Sequence, residues 1–434
     1  MSNFNQHISY ASFLEEGNAE LIRDKFEQWE KKGEKNPDFL NDLALVKFAC
    51  GKKEQAIKIL EKLVKSHPQR SFATINLYYI KKFQTLYQTD KVKNISERIE
   101  FIKKDMRNFH PKISILMPTY NRLDIITKAI KSVLKQTFKN FELIVINDGG
   151  DENLLKIINS IWDNRIVYIY IKHCGLSGAL NVGLNIARGE YIAYLDDDDI
   201  YYPHHLQTAL EALITMGGKV VYTDTYRIFQ KKIENGFQTI HQEPGPNKEF
   251  DKKALKRENY IPILSLVHHR ECMKKIGYFD ENLEHAMDWD FLIRLSKVYD
   301  FIHIPVITGE YSIRKDKSQM SFRDYEIINY FRNLILYKHN FFPLVSLRKF
   351  SSQGNGNILE LEMARLTLKY PELIKKFELR MLFLEKYYSF FYRLGKKSLQ
   401  ESKKHQARDI LISALKLSKF EPKIYLKLFR SFLL

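Results

Sequence analysis

The chain has 434 residues, room for about three domains at roughly 150 residues each, and enough to bury a core without a disulfide or metal staple. Its 44% hydrophobic and 28% charged residues are ordinary globular usage, which excludes collagen-like, mucin-like and wholly disordered chains. The excess of 69 Lys and Arg over 52 Asp and Glu leaves +17 at pH 7, a balance that suits an anionic partner such as nucleic acid, an anionic membrane face or a phosphorylated substrate without choosing among them.

Residues 1–110 read as helical, rich in Lys, Glu and Leu and poor in Gly and Pro. The opening stretch MSNFNQHISYASFLEE lacks a basic segment followed by an apolar core, so no secretory signal is expected. Within this region residues 37–70 fit a helical pair. Leu40, Leu43 and Ala44 line one helix, Gly51 breaks it, Ala56, Leu60 and Leu63 line the next, and Pro68 closes the unit. The Ala56-to-Pro68 spacing resembles a tetratricopeptide repeat. An ordinary helical hairpin fits the same residues, and either must lean on neighbours to bury its second face.

At Pro111 the pattern changes. ISILMP (113–118), FELIVIN (141–147), RIVYIYI (165–171), EYIAYLD (190–196) and KVVYTDT (219–225) are short apolar runs, as expected of buried parallel strands. Between them, Ile126, Ala129, Ile130, Val133 and Leu134 recur at helical spacing, and GALNVGLNIARG (178–189) reads as a second helix. Strands alternating with helices predict an α/β fold with a mixed, mainly parallel sheet over residues 111–325 and polar loops at the strand ends, where such sheets place ligands. Residues 326–434 turn helical again. The aromatic and basic stretch EKYYSFFYRLGKK (385–397) is compatible with a membrane interface or with packing against the rest of the chain.

YLDDDDIYYP (194–203) carries the strongest chemical signal. Four consecutive aspartates repel one another unless a cation or donors compensate them, and at the end of a strand they suit a hard divalent ion that also holds phosphates. A solvated acidic turn is the alternative. Cys50, Cys174 and Cys272 are far apart, which argues against a disulfide framework or a thiolate zinc site and favours a reducing compartment. No apolar run reaches the ~18 residues of a membrane span, so a cytoplasmic location is expected, with contact to the inner membrane face left open.

PTYNR (118–122), VINDGG (145–150), GALNVGLNIARGEYIAYLDDDD (178–199) and GYFDENLEHAMDWDFLIRL (277–295) follow in order and together resemble the family 2 glycosyltransferases of GT-A fold, over about residues 112–320. The resemblance implies an inverting, non-processive transferase that moves a sugar from a nucleotide donor, with uridine diphosphate the expected carrier, to a glycan or lipid-linked glycan acceptor in bacterial surface polysaccharide synthesis. It assigns the donor nucleotide to Pro118, Tyr120, Asn121, Arg122, Asp148, Asn181, Arg188, Asp196 and Asp197. Tyr120 packs on the base and Asp148 accepts from a base N–H. Asp196 and Asp198 match the D-x-D motif and hold a divalent metal, Mn²⁺ or Mg²⁺, with Asp199 in support. Asp288, before Trp289, is the general base.

Trp289, Asp290, Arg314 and Lys317 are expected at the acceptor or diphosphate. Asp290 stands about 200° around a helix from Asp288, so both cannot face one hydroxyl. Arg188 fits an exposed helix end as well as a donor contact. Asn147, Gly150 and Met287 depart from the residues usual in the family. No His lies between 304 and 338, so a metal site of carboxylate and diphosphate oxygens completed by water is expected. The Q-x-x-R-W motif of processive synthases is absent. A catalytically inactive scaffold that binds protein partners or itself through helical flanks is the alternative. Nucleic-acid binding is disfavoured because the basic residues are spread along the chain.

Overall fold

The amino end is helical in the computed structural model, which describes residues 14, 19–67, 71–86, 95–103, 109–233, 236–314, 325–340, 395, 398–400 and 403–417. Among the described residues the helices here are α1 (Arg23–Lys31), α2 (Pro37–Ala49), α3 (Lys53–Ser66) and α4 (Ser71–Leu86). Asn36 caps α2 by accepting from the Asp38 N–H (2.8 Å), with Pro37 in the first turn, where its missing N–H costs nothing. Leu43, Ala44, Ala56, Leu60 and Leu63 are buried as their spacing predicts. The chain divides into two units, one of residues 1–89 with 323–434 and one of residues 90–322.

The apolar runs after Pro111 form the second unit. Its strands are β1 (Ile99–Lys103), β2 (Ile113–Thr119), β3 (Phe141–Asp148), β4 (Ile166–Ile171), β5 (Tyr191–Tyr194), β6 (Ile200–Tyr201), β7 (Val220–Ile233), β8 (Gly236–Pro244), β9 (Leu266–His269) and β10 (Ile302–Arg314). They build one ten-stranded sheet in the order β1-β4-β3-β2-β5-β9-β7-β10-β6, with β8 paired to β7. β4, β3, β2 and β5 are mutually parallel, and β7 is parallel to β10. β1, β6, β8 and β9 pair antiparallel to their neighbours. The helices are α5 (Ile126–Leu134), α6 (Leu154–Ile161), α7 (Gly175–Ile186), α8 (His205–Met216), α9 (Lys252–Arg257), α10 (Cys272–Ile276) and α11 (Met287–Val298).

One face of β2 and β3 (Ile113, Ile115, Met117, Leu143 and Val145) packs on Ile126, Ala129, Ile130 and Val133 of α5 in a continuous buried cluster. Each of these side chains larger than alanine contributes about 1.5–3 kcal/mol by leaving water. From β2 the chain steps to β3 and β4 on one side, then crosses to β5 on the other. That reversal splays the loops after β2 and β5 and opens a crevice at their carboxyl ends.

Two expectations change here. Residues 99–103, inside a region read as helical, form a strand on β4, because its pairing with Tyr168–Ile171 outweighs weak local helix spacing. The helical ends, read as separate regions, belong to one unit. α12 (Tyr325–Lys338) packs on α4, where Tyr337 stacks on Tyr79 (4.7 Å) and its hydroxyl donates to Asn76 Oδ1. Asn76 Nδ2 in turn donates to the buried Asn41 Oδ1 (2.7 Å). A further helix, α13 (Lys404–Leu417), buries Ala407, Leu411 and Ala414. Most of the 385–397 stretch lies outside the described residues. Among the described residues no helix is long and apolar enough to cross a membrane.

Gly189, just before β5, donates its N–H to Ser114 Oγ (2.8 Å), and an added Cβ would stand 2.8 Å from the Ile113 carbonyl carbon. Gly189→Ala is therefore expected to lower unfolding free energy by about 1–3 kcal/mol, as overpacking does. Urea denaturation of the two proteins checks this, and an unchanged midpoint would count against so close a strand approach.

Candidate active site

The tight turn after β5 turns its aspartates in different directions. Asp197 points inward and accepts from Thr119 Oγ1 (2.6 Å) and Arg122 Nη1 (3.0 Å). Asp198 Oδ2 accepts from Arg122 Nη1 and from Arg314 Nη1, both at 2.8 Å. Asp199 Oδ1 accepts the Ser312 N–H (3.0 Å), and Ser312 Oγ donates to the Asp198 carbonyl (2.8 Å). Thus β10 closes over the turn. Gln230 of β7 and Phe237 of β8 hold Arg314 in place, the former accepting from its Nε (3.0 Å) and the latter lying 4.1 Å under its guanidinium.

Burial raises Asp197 to about 6 against the opposing pull of Arg122. It also pushes Asp196 and Asp199 upward, and the charge of Asp198 adds to both. Carboxylate oxygens of Asp196, Asp198 and Asp199 lie within 4.8 Å of one another. That all-oxygen set fits a hard divalent cation, provided the ion pairs at Asp198 Oδ2 yield to it.

A second group lies at the carboxyl ends of β2, β3 and β4. Tyr120 is 48% exposed and stacks on His173 (4.6 Å). Asp148, at the end of β3, accepts from the backbone N–H of Cys174 (2.7 Å) and Gly175 (2.9 Å) at the start of α7, and its Oδ2 is 2.9 Å from His173 Nδ1. Burial nevertheless raises its pKa. The departures from the family pattern at Asn147 and Gly150 have local reasons. Asn147 donates to the Asp151 carbonyl (3.0 Å) and accepts the Gly150 N–H (2.8 Å), which fixes the loop. At Gly150 a Cβ would stand 2.8 Å from the Asn121 backbone nitrogen. Asn121, at φ 54°, accepts the Asp151 N–H (2.9 Å). Pro118 is buried within β2, beside Ile146.

The far wall comes from α11. Asp288 Oδ2 accepts from Asn259 Nδ2 (2.8 Å), and burial raises its pKa. Its charge is the smallest of the influences that push Asp196 upward, after burial and the charges of Asp198 and Asp197. Asp290 points the other way, fully buried against Arg294 Nε (2.9 Å) one turn along α11.

Four expected positions do not reach the crevice. Arg188 precedes β5 and pairs with Glu142 at the start of β3 (2.7 Å), at the opposite edge of the parallel strands. Asn181 is fully buried and clamps Phe279, accepting its N–H (2.9 Å) and donating to its carbonyl (3.0 Å). Trp289 is buried with Nε1 on the Leu255 carbonyl (2.6 Å), and Asp290 is spent on Arg294. Lys317 lies outside the described residues. Sequence reasoning missed Thr119, His173, Asn259 and Ser312. Of these, Thr119 and His173 stand inside or beside quoted motifs. Asn259 and Ser312 reach the site only through tertiary pairing.

Residues 114–273 match the family model for glycosyl transferase family 2. An uncharacterized glycosyltransferase of Rickettsia typhi, RT0329, is 34% identical over 202 residues, covering 44% of this chain and 61% of that protein. Chondroitin synthase of Pasteurella multocida is 26% identical over 257 residues, 55% of this chain and 25% of that one. Among solved structures, S. aureus TarS 1-349 in complex with UDP-GlcNAc aligns at TM-score 0.44 and 14% identity, over 74% of this chain and 89% of that one. The chain thus spans about three fifths of the length of the Rickettsia relative. Residues 114–273 of the sheet-bearing unit thus resemble family 2 glycosyltransferases in sequence.

Proposed function

We propose that this domain is an inverting, non-processive glycosyltransferase that moves a sugar from a nucleoside-diphosphate donor, with UDP the foremost candidate, to a hydroxyl of a glycan or lipid-linked glycan in surface polysaccharide synthesis. The observation that carries this reading is the cluster of Asp196, Asp198 and Asp199 after β5, with Asp288 near enough for its charge to act on Asp196. A single displacement needs a proton acceptor on the face of the sugar away from the leaving group.

The acceptor hydroxyl gives its proton to the Asp288 carboxylate as its oxygen bonds to the anomeric carbon. The bond from that carbon to the diphosphate breaks, and its electron pair leaves with the nucleoside diphosphate. Asn259 holds the Asp288 carboxylate in one orientation. Arg122 and Arg314 supply fixed positive charge on the leaving side. Asp196 and Asp198 are the residues that would hold a divalent metal, Mn²⁺ or Mg²⁺, which supplies charge neutralisation at the diphosphate. Tyr120 offers a stacking surface to the base.

Metal dependence is tested directly. Mn²⁺ binding followed by calorimetry should be lost in Asp198→Ala, and EDTA should abolish transfer. Full activity in EDTA would refute this part.

Asp288→Asn keeps the shape and removes the proton acceptor. Its kcat should fall by about 10²–10⁴-fold with nucleotide affinity little changed. Asp290→Asn should instead cost about 3 kcal/mol of stability, because it leaves Arg294 without its buried partner. Should Asp290→Asn lose turnover while Asp288→Asn keeps it, the roles are reversed.

The base works only when deprotonated, and burial raises its pKa. The kcat should therefore fall on acidification at a pH above the ~3.9 of an ordinary Asp. A pH–rate profile with no acid limb down to pH 4 contradicts that assignment, as does product of retained anomeric configuration.

A further inference from the structure

Asp148 is surrounded by donors of this chain. The N–H groups of Cys174 and Gly175 take one carboxylate oxygen each, and His173 Nδ1 lies 2.9 Å from Oδ2. The same Nδ1 is 2.9 Å from the Asp148 backbone carbonyl. A carbonyl oxygen can only accept, so Nδ1 carries the proton. In the neutral ring Nε2 is then a bare lone pair. It has no hydrogen-bond partner among the described residues. The His173 side chain is 57% exposed and stacks on Tyr120 at 4.6 Å, a spacing too tight for a third ring to enter between them. A base must therefore lie on the outer face or against the edge of this pair.

We infer that His173, its tautomer fixed by the Asp148 carbonyl, is a specificity-determining residue whose Nε2 accepts the ring N–H of the donor nucleobase. This deepens the proposed function and rests on its reading of a nucleoside-diphosphate donor. The ligand class follows from the chemistry of the acceptor. Uracil presents a ring N–H at N3. Cytosine presents a lone pair at the same position, so two acceptors would face each other, and its amino group sits one ring position away. The task the family resemblance gives to Asp148 passes to the imidazole that Asp148 orients.

The experiment is calorimetric titration of the full chain with UDP and with CDP in Mn²⁺, in wild type, His173→Phe and Asp148→Asn, with thermal melts to confirm folding. Phenylalanine keeps a ring against Tyr120 and removes the acceptor. Asp148→Asn leaves the backbone carbonyl that sets the tautomer. Wild type should prefer UDP over CDP, on the order of tenfold for one hydrogen bond. His173→Phe should lose that preference by weakening UDP alone, and Asp148→Asn should retain it. A preference that survives in His173→Phe, or that disappears only in Asp148→Asn, overturns the inference. Equal binding of both nucleotides by wild type also overturns it while leaving the nucleotide site standing. Binding of neither removes the proposed function itself.

Discussion

The site depends on compensation of the carboxylate charge after β5 by two guanidiniums. Asp197 and Asp198 share Arg122, and Asp198 also holds Arg314. Removing either cation leaves largely buried negative charge short of a partner, a loss larger than that of a surface pair. The two arginines arrive from opposite directions in sequence. Arg122 follows the central strand β2 directly, whereas Arg314 ends β10. Its position requires β10 to run parallel along β7 through Arg314 opposite Gln230. The acidic turn therefore depends on long-range pairing that closes late along the chain. The β7–β8 hairpin, which supplies Gln230 and Phe237, belongs to the charge balance although it carries no charge to the turn itself.

Much of this was legible in the sequence. The four leading parallel strands and α5 follow from apolar runs and helical spacing, and the aspartates lie at the end of β5 as their position predicts. Asp288 and Asp290 separate as the helical angle requires, one toward Asn259 and the crevice, the other into the core. What the sequence hid was register and edge. Arg188 stands eight residues from Asp196 in a motif, yet β5 lies between them and carries the two to opposite ends of the sheet. Asn181 looks like an available amide until the loop at Phe279 folds over it. The later strands were hidden for another reason. β10 contains two register shifts against β7, so its inward and outward residues do not alternate cleanly and no period marks it.

The two departures from the family pattern in the loop after β3, Asn147 and Gly150, become intelligible as one adjustment. Asn147 has a side chain that both donates and accepts, which a carboxylate cannot do, and it uses both ends within the loop. That loop turns so tightly against Asn121 that position 150 must be glycine. With the loop fixed in this way, Asp148 is available to the start of α7 and to His173.

The buried chain from Asn41 through Asn76 to Tyr337 has a consequence for biosynthesis. Asn41 and Asn76 are made early, but the tyrosine that completes their hydrogen bonding and stacks on Tyr79 is translated only after the whole sheet-bearing segment. On the ribosome the first four helices therefore wait with an open, partly polar interior while the sheet folds as its own unit. A translation product that stops after β10 would hold a finished sheet and an unfinished helical unit. The helical unit is thus the part of the chain that chaperones and proteases would inspect.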